Sequence, residues 1–381
     1  MKRSFLLLPL ALGIVLAAGL AAFAADPIKI GAVFSVTGPA SFLGEPERNT
    51  AQMVVDEMNA KGGLLGRPVE LIVYDDETDV NKAVLGVDKL LKKDGVVAVI
   101  GPTTSGNTLA VMGKFAKAEV PLISCSAAEK ITTPVDPWVF KVAPSDRHAV
   151  EKILEHAKGK GYKKLAIVTV SDGFGQAGRE VLKELAPVQG FELVADEIYG
   201  PKDTDMTAQL TKIKAQNPDA VICWGTNPGP AVIARGRVQL GLAVPLYMSH
   251  GVASKKFIEL AGEAAEGIIL PAGRLIVAQQ VAPAHPQKAV LMKYTADYEA
   301  RFKQPVSTFG GHAFDSLWLF AEAVNMGKSA KPADIRANLA KIKAFQGTAG
   351  AFGFSEKDHN GLTKDAFELV VIEKGDWKIL Q

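Results

Sequence analysis

Cysteine is nearly absent from this chain: Cys125 and Cys223 are the two in 381 residues. That excludes a disulfide-stapled scaffold, and their separation excludes the clustered ligands of a zinc site. They fall in different lobes of the architecture argued below, which predicts two buried, inert thiols; a bridge between them is the alternative. An excess of one charge is missing as well. Lys and Arg total 43 against 41 Asp and Glu, and without Lys2 and Arg3 the balance is even. A chain with no basic excess lacks the surface on which nucleic-acid binding depends, so no such partner is expected. Catalytic signatures are missing too. There is no glycine-rich dinucleotide fingerprint, P-loop, HExxH pair or nucleophile elbow, and Gly173-Phe174-Gly175 is no phosphate loop. A secreted enzyme on a doubly wound scaffold is the rival reading, but it needs a nucleophile–base set that the sequence does not display. The chain is read as a non-enzyme with no cofactor and no metal. Asp75-Asp76-Glu77 resembles a magnesium cluster, yet at a strand end such acids more often shape a turn and cap a helix.

The one long apolar run stands at the start. Lys2 and Arg3 precede an uncharged, Leu- and Ala-rich stretch over residues 4–25. Ala22-Phe23-Ala24 then supplies the small–x–small pattern of a signal-peptidase site. This reads as an export signal over 1–24, cleaved after Ala24, with a retained membrane anchor as the alternative. No cysteine near the junction offers a lipid attachment point. The mature chain is expected in the periplasm, as a monomer.

From Asp26 onward, short apolar runs alternate with helical patterns. Strands are predicted at 28–34, 69–74 and 96–100. Helical spacing joins Ala51, Val54, Val55 and Met58, then Ala83, Val87, Leu90 and Leu91, and a further helix is read over about 105–118. After 138–142 the pattern restarts, with strands at 165–170, 193–198, 220–224 and 245–248. Helices are read at 146–158, 176–185, 206–216 and 231–240 between them. Such alternation implies right-handed crossovers and parallel sheets covered on both faces. Two α/β units of similar size make a two-lobed protein without a visible sequence repeat. Helical stretches at 288–302 and 312–326 and a strand at 367–372 are too few for a third domain, so the chain must return to both lobes. Crossings are placed at 143–146, 271–275 and 346–350, each with Pro or Gly. The lobes are then 25–144 with 275–346, and 145–274 with 347–381.

In open α/β sheets, ligands bind beyond the carboxyl ends of the strands. In the first lobe that places 37–44, 101–106 and 124–128 at the site; in the second, 171–175, 224–229 and 249–251. Ser105 opens a helix, where free N–H groups and the dipole favour a carboxylate or phosphate; a plain N-cap is the other reading. His250 and Phe174, taken alone, read as structural residues: a satisfied histidine and a core aromatic.

Together the runs 28–38, Asn59-Ala60-Lys61-Gly62-Gly63, Tyr74-Asp75-Asp76 and Val99-Ile100-Gly101 resemble periplasmic leucine/isoleucine/valine-binding proteins. So do 122–126, Ala265-Glu266-Gly267 and 354–361. The resemblance spans essentially the whole mature chain. It implies a type I periplasmic-binding fold with three interlobe crossings, and a partner permease of an ABC importer in the membrane; a sensing module for a separate receptor is a further alternative. It also implies that Ser105 holds the substrate carboxylate together with backbone groups of Ser126, Ala127 and Ala128. By the same resemblance His250 stands where the amino-acid binders carry the acid that pairs with the ammonium. Phe174 and Thr226 stand in place of pocket tyrosines, and Ala128 in place of a hydroxyl residue. A buried ammonium left unpaired is costly. With Phe42, Leu43 and Phe174 as walls, these departures predict an aromatic or branched aliphatic acid without an α-amino group. The alternative is a branched-chain amino acid, with Asp172 or Glu45 supplying the missing anion.

Overall fold

The structure, a computed structural model, describes residues 26–380; the expected export signal lies outside them. The first sheet holds β1 (Ile28–Phe34), β2 (Val69–Asp75), β3 (Ala98–Ile100), β4 (Leu122–Ser124) and β5 (Val139–Lys141), in the order β2-β1-β3-β4-β5. All its pairings are parallel. The second contains β6 (Lys164–Val170), β7 (Glu192–Tyr199), β8 (Ala220–Trp224), β9 (Leu246–Met248) and β10 (Ile269–Ala272). Its parallel part runs β10-β9-β8-β6-β7. Read from β7, that is the strand order of the first sheet again, a repeat of topology that the sequence conceals. The segment Phe345–Gln346 (β11) and Ala351–Phe352 (β12) form a hairpin, and β13 (Glu368–Glu373) and β14 (Asp376–Ile379) extend the second sheet beyond β10. These last two are antiparallel, where a purely parallel sheet was expected. They follow one another through a tight turn, and short connections dictate antiparallel pairing.

Helices cover the sheets: α1 (Ser41–Ala60), α2 (Val80–Lys89), α3 (Ser105–Val111) and α4 (Phe115–Ala118) in the first half, then α5 (Asp146–Gly159), α6 (Gly173–Val188), α7 (Thr207–Ala215), α8 (Gly229–Gln239) and α9 (Lys255–Ala261). The C-terminal third adds α10 (Lys288–Phe302), α11 (Thr308–Gly327) and α12 (Pro332–Leu339). α1 buries Ala51, Val54, Val55 and Met58 on one face. It stops where Gly62 and Gly63 take φ of 95° and 77°, a left-handed region that glycine enters without penalty. The helix expected over 105–118 is broken at Met112–Lys114 into α3 and α4.

Three changes of core mark the interlobe crossings. Val142 packs with the first core and Ala143 with the second; Ala272 belongs to the second and Leu275 to the first; Ala366 to the first and Phe367 to the second. The last crossing thus lies some way past the expected position at 346/347. Its cause is aromatic packing: Phe354 meets Phe140 edge-on at 5.4 Å and His359 stacks on Phe140 at 4.0 Å. Residues 347–366 therefore seal the first lobe before the chain leaves it. Cys125 and Cys223 are buried and free, one in each core.

Candidate ligand-binding site

In each sheet the strand order reverses direction between the first strand and its third-strand neighbour, β1/β3 in one lobe and β6/β8 in the other. The loops leaving those strands diverge there and open a crevice. The two crevices face each other and enclose a cavity of about 250 Å³. Thr103, Ser105, Ser126 and Ala127 line it from the first lobe, and Asp172, Phe174, Thr226 and His250 from the second.

The first-lobe wall is held by buried hydrogen bonds. Thr104, not Ser105, caps α3, its hydroxyl accepting from the Asn107 N–H at 3.4 Å. Ser105 is therefore not the cap of α3. Its hydroxyl oxygen accepts from the Ala128 N–H at 3.3 Å, tying two of the wall's loops together. Behind α3, the fully buried Asp76 accepts from Ser35 Oγ at 2.6 Å, Asn107 Nδ2 at 2.8 Å and the Thr78 N–H at 2.8 Å. The acidic triplet thus anchors loops, as the turn-and-cap reading expected, and burial raises the Asp76 pKa. Glu47 accepts from the Thr103 hydroxyl, and burial pushes its carboxyl well above the usual range. The Ser126 hydroxyl donates to the Pro102 carbonyl at 2.9 Å, which turns it into the wall. Lys141, fully buried behind the cavity, donates to the Ala127 carbonyl at 2.9 Å.

The second-lobe wall is aromatic. Asp172 caps α6 by accepting from the Gly175 N–H at 2.8 Å, and burial raises its pKa although the cap bond opposes this. Phe174, in the first turn of α6, packs on Trp224 (5.9 Å) and edge-on against His250 (5.4 Å). Trp224 and Phe367 complete an aromatic box around the His250 ring, at 5.7 and 5.2 Å. Burial in that box pushes the His250 pKa down to about 3, with the positive charge of Lys141 adding to the effect. Asp146 Oδ1 lies 3.6 Å from His250 Nε2. Burial raises Asp146 while it depresses His250, so at neutral pH the contact is not an ion pair.

Of the residues singled out from sequence, Leu43, Ser105, Ser126, Ala127, Phe174, Thr226 and His250 line the cavity. Ala128 does not; its side chain is fully buried in the first-lobe core, and its N–H serves Ser105. Phe42 also lies outside, edge-on to Phe309 at 5.9 Å, and with Glu45 it borders a separate depression at the lobe rim. Asp172 is inside. Among the lining residues that were not anticipated are Phe309 and His312, at the start of α11. They lie some 200 residues from Ser105 in sequence, and a histidine within an apolar helix was their one local signal. Burial holds His312 down to about 4.

The sequence pattern of the family described as "Periplasmic binding protein" matches residues 27–376. The chain belongs to that family. Among its curated relatives, this periplasmic binding protein is 26% identical over 351 residues to the Leu/Ile/Val-binding protein BraC3 of Rhizobium johnstonii, covering 91% of this chain and 92% of the relative. It is 26% identical to the leucine-, isoleucine-, valine-, threonine- and alanine-binding protein of Pseudomonas aeruginosa, with 89% of each chain covered. An extracellular ligand-binding receptor from Rhodopseudomonas palustris HaA2 superposes with a TM-score of 0.88 at 30% identity, over 93% of this chain and all of that one. The branched-chain amino acid transporter substrate binding protein LivJ of Streptococcus pneumoniae, solved with isoleucine, gives 0.82 at 28%, over 93% and 98%. These relatives are binding proteins rather than enzymes. No helix among the described residues is long and apolar enough to cross a membrane.

Proposed function

We propose that this chain is the solute-capturing component of an ABC importer of the branched-chain amino acid type, holding a small apolar amino acid between its lobes. The observation that carries the reading is the pairing of chemistries across the cavity. Ser105 and the Ser126–Ala127 backbone line one side, and the Asp172 carboxylate lines the other beside Phe174. The first set suits a substrate carboxylate; Asp172 supplies the anion that an ammonium needs in a poorly hydrated site. Leu43, Phe174 and Phe309 form apolar walls between them. A cavity of about 250 Å³ suits a ligand of amino-acid size rather than a larger one. The names of the curated relatives point the same way. The ligand bridges both lobes, so its binding favours the closed arrangement, which a membrane permease then recognises.

Calorimetric titration of the ligand-stripped protein tests this. Leucine, isoleucine or valine should bind, and 4-methylpentanoate, leucine without its ammonium, should bind more weakly. Asp172→Asn should cost the amino acid about tenfold in affinity and leave the weaker acid nearly unaffected. A second reading rests on His250, a neutral ring where the resemblance places an acid: the ligand is then an aromatic or branched acid with no ammonium. Binding of benzoate or a hydroxybenzoate with no response to leucine would select it.

A further inference from the structure

The two lobes touch through the first turns of α3 and α6, at Gly106 and Gly173. A Cβ at Gly173 would stand 2.7 Å from Gly106 Cα, 2.9 Å from Gly106 N and 3.5 Å from the Ser105 carbonyl carbon. All three atoms are backbone, and all belong to the opposite lobe. Nothing in its own lobe comes as near, and its φ is outside the left-handed region, so the second lobe alone imposes no glycine there. Gly175, two residues on, is the contrast: a Cβ there would meet the Val170 carbonyl oxygen of its own lobe at 1.8 Å. Gly106 is also different, because its Cβ would lie 3.7 Å from Gly173 N, an ordinary contact. Just outside this contact, Lys130 of the first lobe pairs with Glu180 of α6 at 2.6 Å.

We infer that Gly173 sets how far the lobes close: a bare α-carbon is needed there for the two helix starts to meet, and any side chain acts as a wedge. The requirement belongs to the closed arrangement and not to the folding of either lobe. A wedge keeps the walls of the cavity apart and weakens any ligand that must touch both. The inference extends the proposed function to the control of closure, yet it does not depend on which ligand is bound.

The test uses the full exported chain carrying K130C and E180C, joined by a short bis-maleimide that accumulates even a rarely visited closed form. In the ligand-free protein, Gly173→Ala should slow cross-linking roughly tenfold or more, the effect of overpacking by one methyl group. Its melting temperature should not fall, since alanine is the better helix former. Gly106→Ala should slow cross-linking less than Gly173→Ala. Gly175→Ala should lower the melting temperature instead. Leucine titration of the same set, without the added cysteines, should show an affinity loss for Gly173→Ala that follows the cross-linking. If leucine fails to bind even the parent protein, the ligand reading falls, and the ligand-free cross-linking still decides the role of Gly173. Equal cross-linking rates for the parent and Gly173→Ala would overturn the inference, as would a lowered melting temperature that accounts for the whole effect.

Discussion

On the first-lobe side of the cavity, the polar groups behind the wall are engaged with one another: Asp76 with Ser35, Thr78 and Asn107, Glu47 with Thr103, Ser126 with Pro102, Lys141 with Ala127. On the second-lobe side, the wall is a stack of rings around His250. Among the described residues neither nitrogen of that ring, nor Trp224 Nε1, nor either end of the Asn227 amide finds a hydrogen-bond partner. A hydrogen-bonded network fixes its members in place, even though Glu47 Oε1 is left without a partner, whereas aromatic packing tolerates exchange of one ring for another at modest cost. The first lobe is thus built to present one fixed set of groups to the cavity. The second is where one ring can be exchanged for another without disturbing the fold. It holds His250, Phe174 and Thr226, three of the four positions at which the sequence reads as departing from the leucine/isoleucine/valine-binding pattern; the fourth, Ala128, lies in the first-lobe core.

The largest test of this contrast is Phe174→Ala. It opens the aromatic wall and should cost about 3 kcal/mol of stability in chemical denaturation, along with a change in ligand preference. Ser105→Ala should cost about 2 kcal/mol of binding in calorimetry, evenly across ligands that share the carboxylate. A ligand-dependent loss at Ser105 would break the assignment of constancy to the first lobe.

The two buried imidazoles offer a pH test of intermediate size. His250 and His312 have folded pKa values of about 3 and 4, below the ordinary value near 6.5. Between pH 6.5 and 4 the unfolded chain therefore binds more protons, so their contribution is lost as acid is added. Asp315, raised to about 7 by burial, acts in the opposite sense, its contribution fading as pH rises through the same range. Comparing a variant with its parent removes that background. His250→Gln should narrow its stability deficit by about 2 kcal/mol between pH 7 and pH 5, read from urea midpoints. The smallest effect belongs to the interlobe ion pair at the rim. Lys130→Ala should change ligand affinity by less than about 1 kcal/mol, and less still at high salt, because both side chains are largely exposed.

Period and composition along the chain were enough to read the two α/β lobes, since apolar alternation and turn residues are local properties. Lone buried thiols, loops at strand ends as the lining of the interlobe cavity, and the acidic triplet as an anchor followed from the same local chemistry. Ser105, Phe174 and His250 were legible because each follows a strand end. Ala128 and Phe42 were not, because a loop's position does not reveal which way each of its residues faces. The late crossing at 366/367, the antiparallel β13–β14 and the arrival of Phe309 and His312 in the cavity were decided only when distant segments packed. The stacking of His359 on Phe140 and the meeting of Gly106 with Gly173 join residues 219 and 67 positions apart, and no local pattern encodes contacts of that kind. The residues of this sequence determine which elements form and what each can offer chemically; the packing of the two lobes decides which offers meet.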